Sequence, residues 1–429
     1  MGSVSATAAQ AATKDQTVNE ALDRILKGVA PLPPRDVPLL EALGAVLAGD
    51  VAAPRDVPPF RNSAMDGYAV RGEDVATAPA KLRVVGELAA GTPPSRAVAR
   101  GEAIRIMTGA PMPDGADTVV RVEDTDNGTD SVTIKVVTAT GTSVRHAGED
   151  LRTGETVLER GTVLRAAEIG VLATMGMARV KIVGRPRVAV LSTGDEVVEL
   201  DAELRPGQIR DANRYSIASA VRAAGCEPIV GGIVRDTADD LRGALRSAMA
   251  TADAIVTSGG VSVGDHDHVK PVVSEMGEIE FWAIAIRPGR PLAFGTLIDA
   301  AAGRSDRRVP IFGLPGNPVS SLLTFELFVR PALLKMSGRT KILRPRARAM
   351  LTQAIEKPKH LRFFARGIYD ADTGAVRTTG PQGSGILRSM ALANCLIDLP
   401  EGPDRFAAGE SVEVILTELP EDRGALTIA

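Results

Sequence analysis

The sequence predicts a multidomain α/β plus β chain. A central α/β domain carries a mostly parallel sheet. A β-rich domain is inserted into a helical and extended N-terminal part, and a small β-barrel or sandwich closes the chain. Three observations carry this. From residue 187 to 338, apolar strand-like runs alternate with helical patterns, the mark of a helix-covered parallel sheet. From residue 53 to 148, short alternating runs are broken by Gly, Pro and Asp, as in a small β domain. After residue 344 β character returns, in runs such as CLIDL (395–399) and VEVIL (412–416).

In chain order, residues 1–16 read as a disordered tail. Thr17 and Glu20 are spaced as a capping box, and Ala21, Leu22, Ile25, Leu26 and Val29 recur at helical spacing. Pro31, Pro33 and Pro34 end that helix, and a second is expected over residues 39–47. Residues 55–149 form the inserted β-rich domain. Residues 150–185 then rejoin residues 17–54 as one discontinuous domain, with a strand at 156–158, a helix at 166–175 and a strand at 179–183. Within the α/β domain, residues 186–338, strands are expected at 187–191, 228–234, 254–256, 280–286 and 309–313. Helices are expected to Ala224 with Asn213 as cap, over 237–251, over 267–276 and over 317–335. Residues 339–429 form the last domain.

Bulk composition removes several classes of function. Fifty basic against 53 acidic residues give a net charge of −3, which argues against a nucleic-acid partner. The two cysteines, Cys226 and Cys395, exclude a disulfide framework and fit a cytoplasmic, reducing compartment. No run of about 18 apolar residues marks a membrane span, and MGSVSATAAQAATKDQ has no signal-peptide core. The sequence also lacks G-x-x-x-x-G-K-[ST] and a strand-linked G-x-G-x-x-G, which weakens a P-loop or dinucleotide reading.

Ligands of open α/β sheets bind beyond the C-terminal strand ends. Four loops leave such ends: STGDE (192–196), VRDT (234–237), SGGVSVGDHD (258–267) and GLPGNPVSS (313–321). Glycines let backbone N–H groups approach an anion, and a glycine turn before Pro318 has the form of a phosphate cradle. Glu196, Asp236 and Asp267 are hard oxygen donors, which suggest Mg²⁺ shared with a phosphate-bearing ligand. Arg287 and Arg290 in RPGR offer two cations to phosphates or an oxyanion. His266 and His268 flank Asp267, but alternate helical residues point apart, so zinc is not expected. On spacing alone, Asp66 and Thr108 are turn formers.

NSAMDGYAV, RIMTGAPMPDGADTVV, LSTGDE, SGGVSVGDHD, RPGRPLAFG and GLPGNPVSS follow one another in fixed order. In this the chain resembles the molybdopterin molybdenumtransferases, the MoeA family, which includes the C-terminal domain of gephyrin. The resemblance runs from about residue 17 to the end. It implies a cytoplasmic homodimer of four-domain subunits with a molybdopterin-binding α/β domain and a C-terminal β-barrel. It implies insertion of molybdate into adenylylated molybdopterin with loss of AMP, dependent on Mg²⁺. The molybdopterin adenylyltransferase is a further candidate partner. By motif match it assigns Asp66, Thr108, Glu196 and Asp267 to catalysis, and Glu196, Asp236 and Asp267 to the metal. Substrate contacts fall to Asp236, Ser262, Gly264, Arg287, Arg290, Gly313, Pro315, Gly316, Asn317 and Ser320, with Arg366 and Ser384 from the last domain. Asp66 and Thr108 are expected to act from the partner subunit. The family often has lysines where Arg287 and Arg290 stand; a fork replaces a point charge there. A scaffold and a different nucleotide-dependent enzyme are the alternatives.

Overall fold

The computed structural model describes residues 15–259, 269–298 and 307–418. These form two compact units. One takes residues 36–43 and 47–181, and the other takes the rest.

The first unit is built on a five-stranded sheet. Its strands are β1 (Gly67–Val70), β2 (Ala80–Leu88), β3 (Glu102–Ile106), β4 (Thr118–Arg121) and β5 (Ser131–Ile134), in the order β4-β1-β3-β2-β5. Alternate residues bury on opposite faces. Tyr68 and Val70 enter one core with Val120 and Val132, while Ala69 enters another with Ile104 and Val119. Val51–Ala52 pairs with Thr156–Leu158, so the segments flanking this sheet are joined, and helix α2 (Ala166–Thr174) follows. The helix expected at 39–47 is only a 3₁₀ turn, Leu39–Ala42. Gly44 at φ +77 breaks it: Leu40 and Leu43 lie exposed, while Ala45, Val46 and Leu47 bury beyond the break in non-helical chain.

In the second unit, helix α1 (Val18–Lys27) starts with the reciprocal bonds of the expected capping box, Thr17 to Glu20. Val18, Ala21 and Ile25 face inward, and they pack in the core of the α/β sheet rather than with residues 47–181. That sheet has six strands: β6 (Arg187–Thr193), β7 (Glu227–Val234), β8 (Ala254–Ser258), β9 (Gly277–Ala283), β10 (Pro291–Ile298) and β11 (Arg308–Leu314). Their order is β7-β6-β8-β11-β10-β9. The first four are parallel, and β10 alone is reversed, antiparallel to both of its neighbours, β11 and β9. The sheet is therefore mixed, and β10 is a strand that the motif RPGRPLAFG concealed.

The strands read as nearly continuous apolar runs because both faces are covered. Val188, Val190, Val256 and Phe312 bury on one side with α1, with α3 (Ala212–Ala223) and with the helix after β11. Ala189, Leu191, Ile255 and Ile311 bury on the other, with α4 (Ala238–Thr251). The cap of α3 is Asp211, not Asn213: the Asp211 carboxylate accepts from Arg214 N–H at 3.0 Å. The helix expected over 317–335 breaks into Pro318–Thr324, a π turn at Phe325–Val329, and Arg330–Met336. Pro331 has no N–H to give the preceding turn, and Thr324 Oγ1 bonds back to Ser320 O and Ser321 O.

The last strands, β12 (Arg346–Leu351), β13 (Arg362–Asp370), β14 (Ala375–Thr378), β15 (Cys395–Leu399) and β16 (Ser411–Leu416), pair around in a ring, and β13 meets β15. This is a closed five-stranded barrel filled by Leu351, Phe363, Ile397 and Val414. Each cysteine is buried in a different core, Cys226 beneath the sheet and Cys395 in the barrel. No helix among the described residues is long and apolar enough to cross a membrane.

Candidate active site

Because β6, β7, β8 and β11 are parallel, Thr193, Val234, Ser258 and Leu314 all end at one rim. There, Ser192, Glu196, Asn213, Ser258, Gly259 and Gly316 line a common pocket. Gly259 bonds through its N–H to Leu314 O at 3.1 Å, which ties the β8 loop to the β11 loop. It sits at φ +91, where a Cβ would lie 2.8 Å from Thr193 O. Only glycine fits both demands. Gly259→Ala is expected to destabilise the fold by about 1–3 kcal/mol and to weaken ligand binding, measured by denaturation and calorimetry. Wild-type values in both would remove this account of the rim.

The carboxylates are only partly assembled. Glu196 lies exposed in this pocket, its carboxylate folded over Gly194. Asp236, half-buried, donates its N–H toward Asp195 Oδ1 at 3.4 Å, so the β6 and β7 loops meet. Ser262, Gly264, Asp267 and both histidines of that loop lie outside the described residues. Among the described residues no group of three His, Cys, Asp or Glu side chains could hold a metal ion.

The GLPGNPVSS loop meets the barrel. Gly313, Leu314 and Pro315 are buried, and Gly316 and Asn317 are exposed at the rim. Val319 N–H donates to Ser384 O at 3.1 Å, and Ser320 is buried just beyond. Arg366 lies behind Ser384. Its side chain is fully buried, donating from Nε to Ser389 Oγ at 3.0 Å and from Nη2 to Gly383 O at 3.1 Å. Nη1 has no acceptor among the described residues. Burial, then the like charge of Arg287, push this guanidinium down to about 10. The barrel's buried acid, Asp398, is by contrast met by both Arg346 and Arg362. Arg287 is exposed over the Phe363 ring, whereas Arg290 is paired with Asp15 at 2.9 Å.

Asp66 and Thr108 meet in the other unit. Thr108 N–H and Oγ–H both donate to Asp66 Oδ1 at 2.7 Å. The hydroxyl bond first, then the backbone bond, hold the Asp66 carboxyl below its ordinary range. Asp56 and Thr153 make the same arrangement in the same unit, so the geometry alone is a turn device and does not identify a site. Asp66 contributes stability in full above the unfolded value of 3.8, and loses it as pH falls through the lower folded value. Thr108→Val is expected to raise the Asp66 pKa and narrow that window, read by carbon-detected NMR titration. An unmoved titration would assign the shift to the backbone bond alone.

From the sequence, Ser192 stands in the STGDE loop without a role of its own, Asn213 is only a helix cap, and Asp211 is not singled out. Ser192 Oγ–H donates to buried Asp211 at 3.0 Å, and the Asn213 amide donates to Ser258 Oγ at 2.8 Å and Gly316 O at 2.7 Å. The only sequence signal for Asp211 and Asn213 is a polar DAN triplet at a helix start, which reads as capping.

Similarity to known proteins covers the chain in three stretches. Residues 189–335 match the family described as a probable molybdopterin binding domain. Residues 16–176 match the MoeA N-terminal region, domains I and II, and residues 348–417 the MoeA C-terminal region, domain IV. A loop-lined α/β rim, a β-rich unit and a closed barrel with these matches define a multidomain molybdopterin-binding protein. Molybdopterin molybdenumtransferase 2 of Mycobacterium tuberculosis is 41% identical over 391 residues, 89% of this chain and 94% of that protein. The molybdopterin molybdenumtransferase of Haemophilus influenzae is 37% identical over 405 residues, 93% of this chain and 98% of that one. The crystal structure of a molybdopterin biosynthesis MoeA protein from Pyrococcus horikoshii covers 94% of this chain and 100% of its own, with TM-score 0.78 at 33% identity. The chain belongs to the MoeA family of molybdopterin molybdenumtransferases. Its activity is the family's, in molybdenum cofactor biosynthesis.

Proposed function

We propose that the chain inserts molybdate at the dithiolene sulfurs of adenylylated molybdopterin and releases AMP. The observation that carries this reading is Arg366. A fully buried guanidinium with no carboxylate partner and an idle Nη1 among the described residues needs an anion beside it. Ser384, one residue from its partner Gly383, joins it to the GLPGNPVSS loop. That loop, with Gly313, Pro315, Gly316, Asn317 and Ser320, is the cradle of the pterin phosphate. Molybdate is a tetrahedral dianion and takes cations and N–H or O–H donors. Arg287 supplies one cation, and Arg290 a second once it leaves Asp15.

Glu196 and Asp236 lie at the nucleotide end. Their hard oxygens suit Mg²⁺, which takes few protein ligands beside phosphate oxygens, and Asp267, Ser262 and Gly264 join them by motif alone. Bound there, Mg²⁺ would neutralise charge on the pyrophosphate link. Asp66, kept ionised by Thr108, is an acceptor for a proton donor such as water. It acts from the second subunit of a homodimer. The adenylyltransferase that makes the substrate is a natural partner.

The test is to follow AMP release from adenylylated molybdopterin with Mg²⁺, with and without molybdate. Molybdate-dependent release is expected. Release that ignores molybdate, or none with the pterin bound, would overturn the assignment.

A further inference from the structure

The rim contains one side chain that joins loops from two non-adjacent parts of the sequence. Asn213 lies in the first turn of α3. Its Nδ2 donates one hydrogen to Ser258 Oγ, at the end of β8, and the other to Gly316 O, in the loop after β11. The amide orientation follows from chemistry: a carbonyl can only accept, so the nitrogen must face Gly316. Asn213 is itself held firmly. The helix it stands on begins at Asp211, which is buried, accepts from Ser192 Oγ at the end of β6, and is ion-paired with buried Arg214 at 3.1 Å. Strand ends β6, β8 and β11 are thus linked through one short helical turn.

Backbone bonds hold the loop on either side, through Leu314 O, Asn317 O and Val319 N–H, but none of them reaches the Gly316–Asn317 peptide itself. Pro315 and Pro318 have no N–H. A Cβ on Gly316 would meet nothing nearer than Gly259 Cα at 4.0 Å, so the loop has open space around this peptide. Among the described residues, no other hydrogen bond reaches the Gly316 carbonyl, and the Asn317 N–H has no acceptor. Asn317, at φ −66 and ψ 128 ahead of Pro318, keeps the Gly316–Asn317 peptide from turning over fully, but without Asn213 nothing fixes its tilt. In a planar trans peptide the C=O and the next N–H point in opposite directions. Holding the Gly316 oxygen against Asn213 therefore aims the Asn317 N–H away from α3.

We propose that Asn213 is a positioning residue: it locks the Gly316–Asn317 peptide in the one orientation that presents the Asn317 N–H to a phosphate of the substrate. This rests on the loop being the phosphate cradle, as argued above. A preset N–H donor adds binding without reorganisation when the substrate arrives. Its loss should raise KM while leaving kcat nearly untouched.

Three variants test this: Asn213→Ala, Asn213→Asp and Ser258→Ala. KM for adenylylated molybdopterin is expected to rise about tenfold in Asn213→Ala, the size of one lost hydrogen bond, with kcat and Tm near wild type. Asn213→Asp should be worse than alanine, because a carboxylate faces the Gly316 carbonyl and repels it. Ser258→Ala keeps the bond to Gly316, so its rise in KM should be smaller than that of Asn213→Ala. A fall in Tm and kcat with KM unchanged, or a KM rise in Ser258→Ala equal to that in Asn213→Ala, would overturn the proposal. Amide NMR of asparagine-labelled protein reads the clamp with no ligand at all. A single sharp Asn317 resonance in wild type that splits or broadens in Asn213→Ala supports it. An unchanged resonance refutes it, whatever the turnover assay gives. If the resonance changes and KM does not, the clamp exists but the loop is not the phosphate cradle, and the proposed role falls with that reading.

Discussion

Arg366→Met is expected to leave the ligand-free protein as stable as wild type, or more so, while abolishing stabilisation by oxyanions. The reasoning is a balance of two costs. In wild type a guanidinium is fully buried without a counter-charge, and its two bonds to Ser389 and Gly383 repay only part of the desolvation. Methionine fills similar length without charge, so the desolvation cost vanishes along with those bonds. With an anion bound the balance reverses. At a hundredfold excess over Kd, an anion should stabilise wild type by about 2.7 kcal/mol. Thermal unfolding with added molybdate or phosphate measures this. The methionine variant should show no anion-dependent shift, and turnover should fall by about a hundredfold or more. An undiminished shift in Arg366→Met would place the oxyanion elsewhere. Asp398→Asn offers the contrast. Arg346 and Arg362 lose a buried partner there, so stability itself should fall.

The second large effect concerns Asp66 and Glu196. Asp66→Asn and Glu196→Gln should each lower turnover by about a hundredfold or more, with the fold retained, since both side chains are exposed and outside the cores. Mixing the two inactive variants decides how the site is assembled. If Asp66 works across a dimer, random exchange makes half of the dimers mixed, each with one intact site, so about a quarter of wild-type activity should return. If Asp66 and Glu196 act within one subunit, a mixed dimer has no intact site and nothing returns. Subunit exchange followed by the AMP assay reads either result.

The fold was legible in the sequence wherever burial imposes a period. Runs such as RVAVL and AIV are apolar throughout because α/β strands are covered on both faces. The Thr17 and Glu20 pair announced its helix, since capping is a local bond between near neighbours. Legibility failed where a long-range partner decides. Residues 39–47 have helical spacing, but Gly44 adopts a positive φ, and Leu40 and Leu43 stay outside while Leu47 buries beyond the break. Pro291–Ile298 is a strand because β9 and β11 flank it, not because its own residues say so. The site divides in the same way. GLPGNPVSS and STGDE could be placed at strand ends by pattern. Asn213 could not, because its work depends on Ser258, 45 positions away, and on Gly316, 103 positions away. Arg366 was marked only by resemblance. That it is buried and short of an acceptor is a fact of packing.

The placement of sulfur has a consequence for the chemistry. The pterin substrate of this family carries a dithiolene, a pair of adjacent sulfurs that bind soft metals and exchange readily with other thiols. The enzyme owns two cysteines and keeps each inside a separate core. Burial pushes the Cys226 thiol up to about 11, so it stays protonated and a poor nucleophile. The protein therefore offers no competing thiolate at the rim, where the proposed insertion would join metal to sulfur. Mixed disulfides and misdirected metal are avoided by leaving the ligand's own sulfurs as the softest donors within reach.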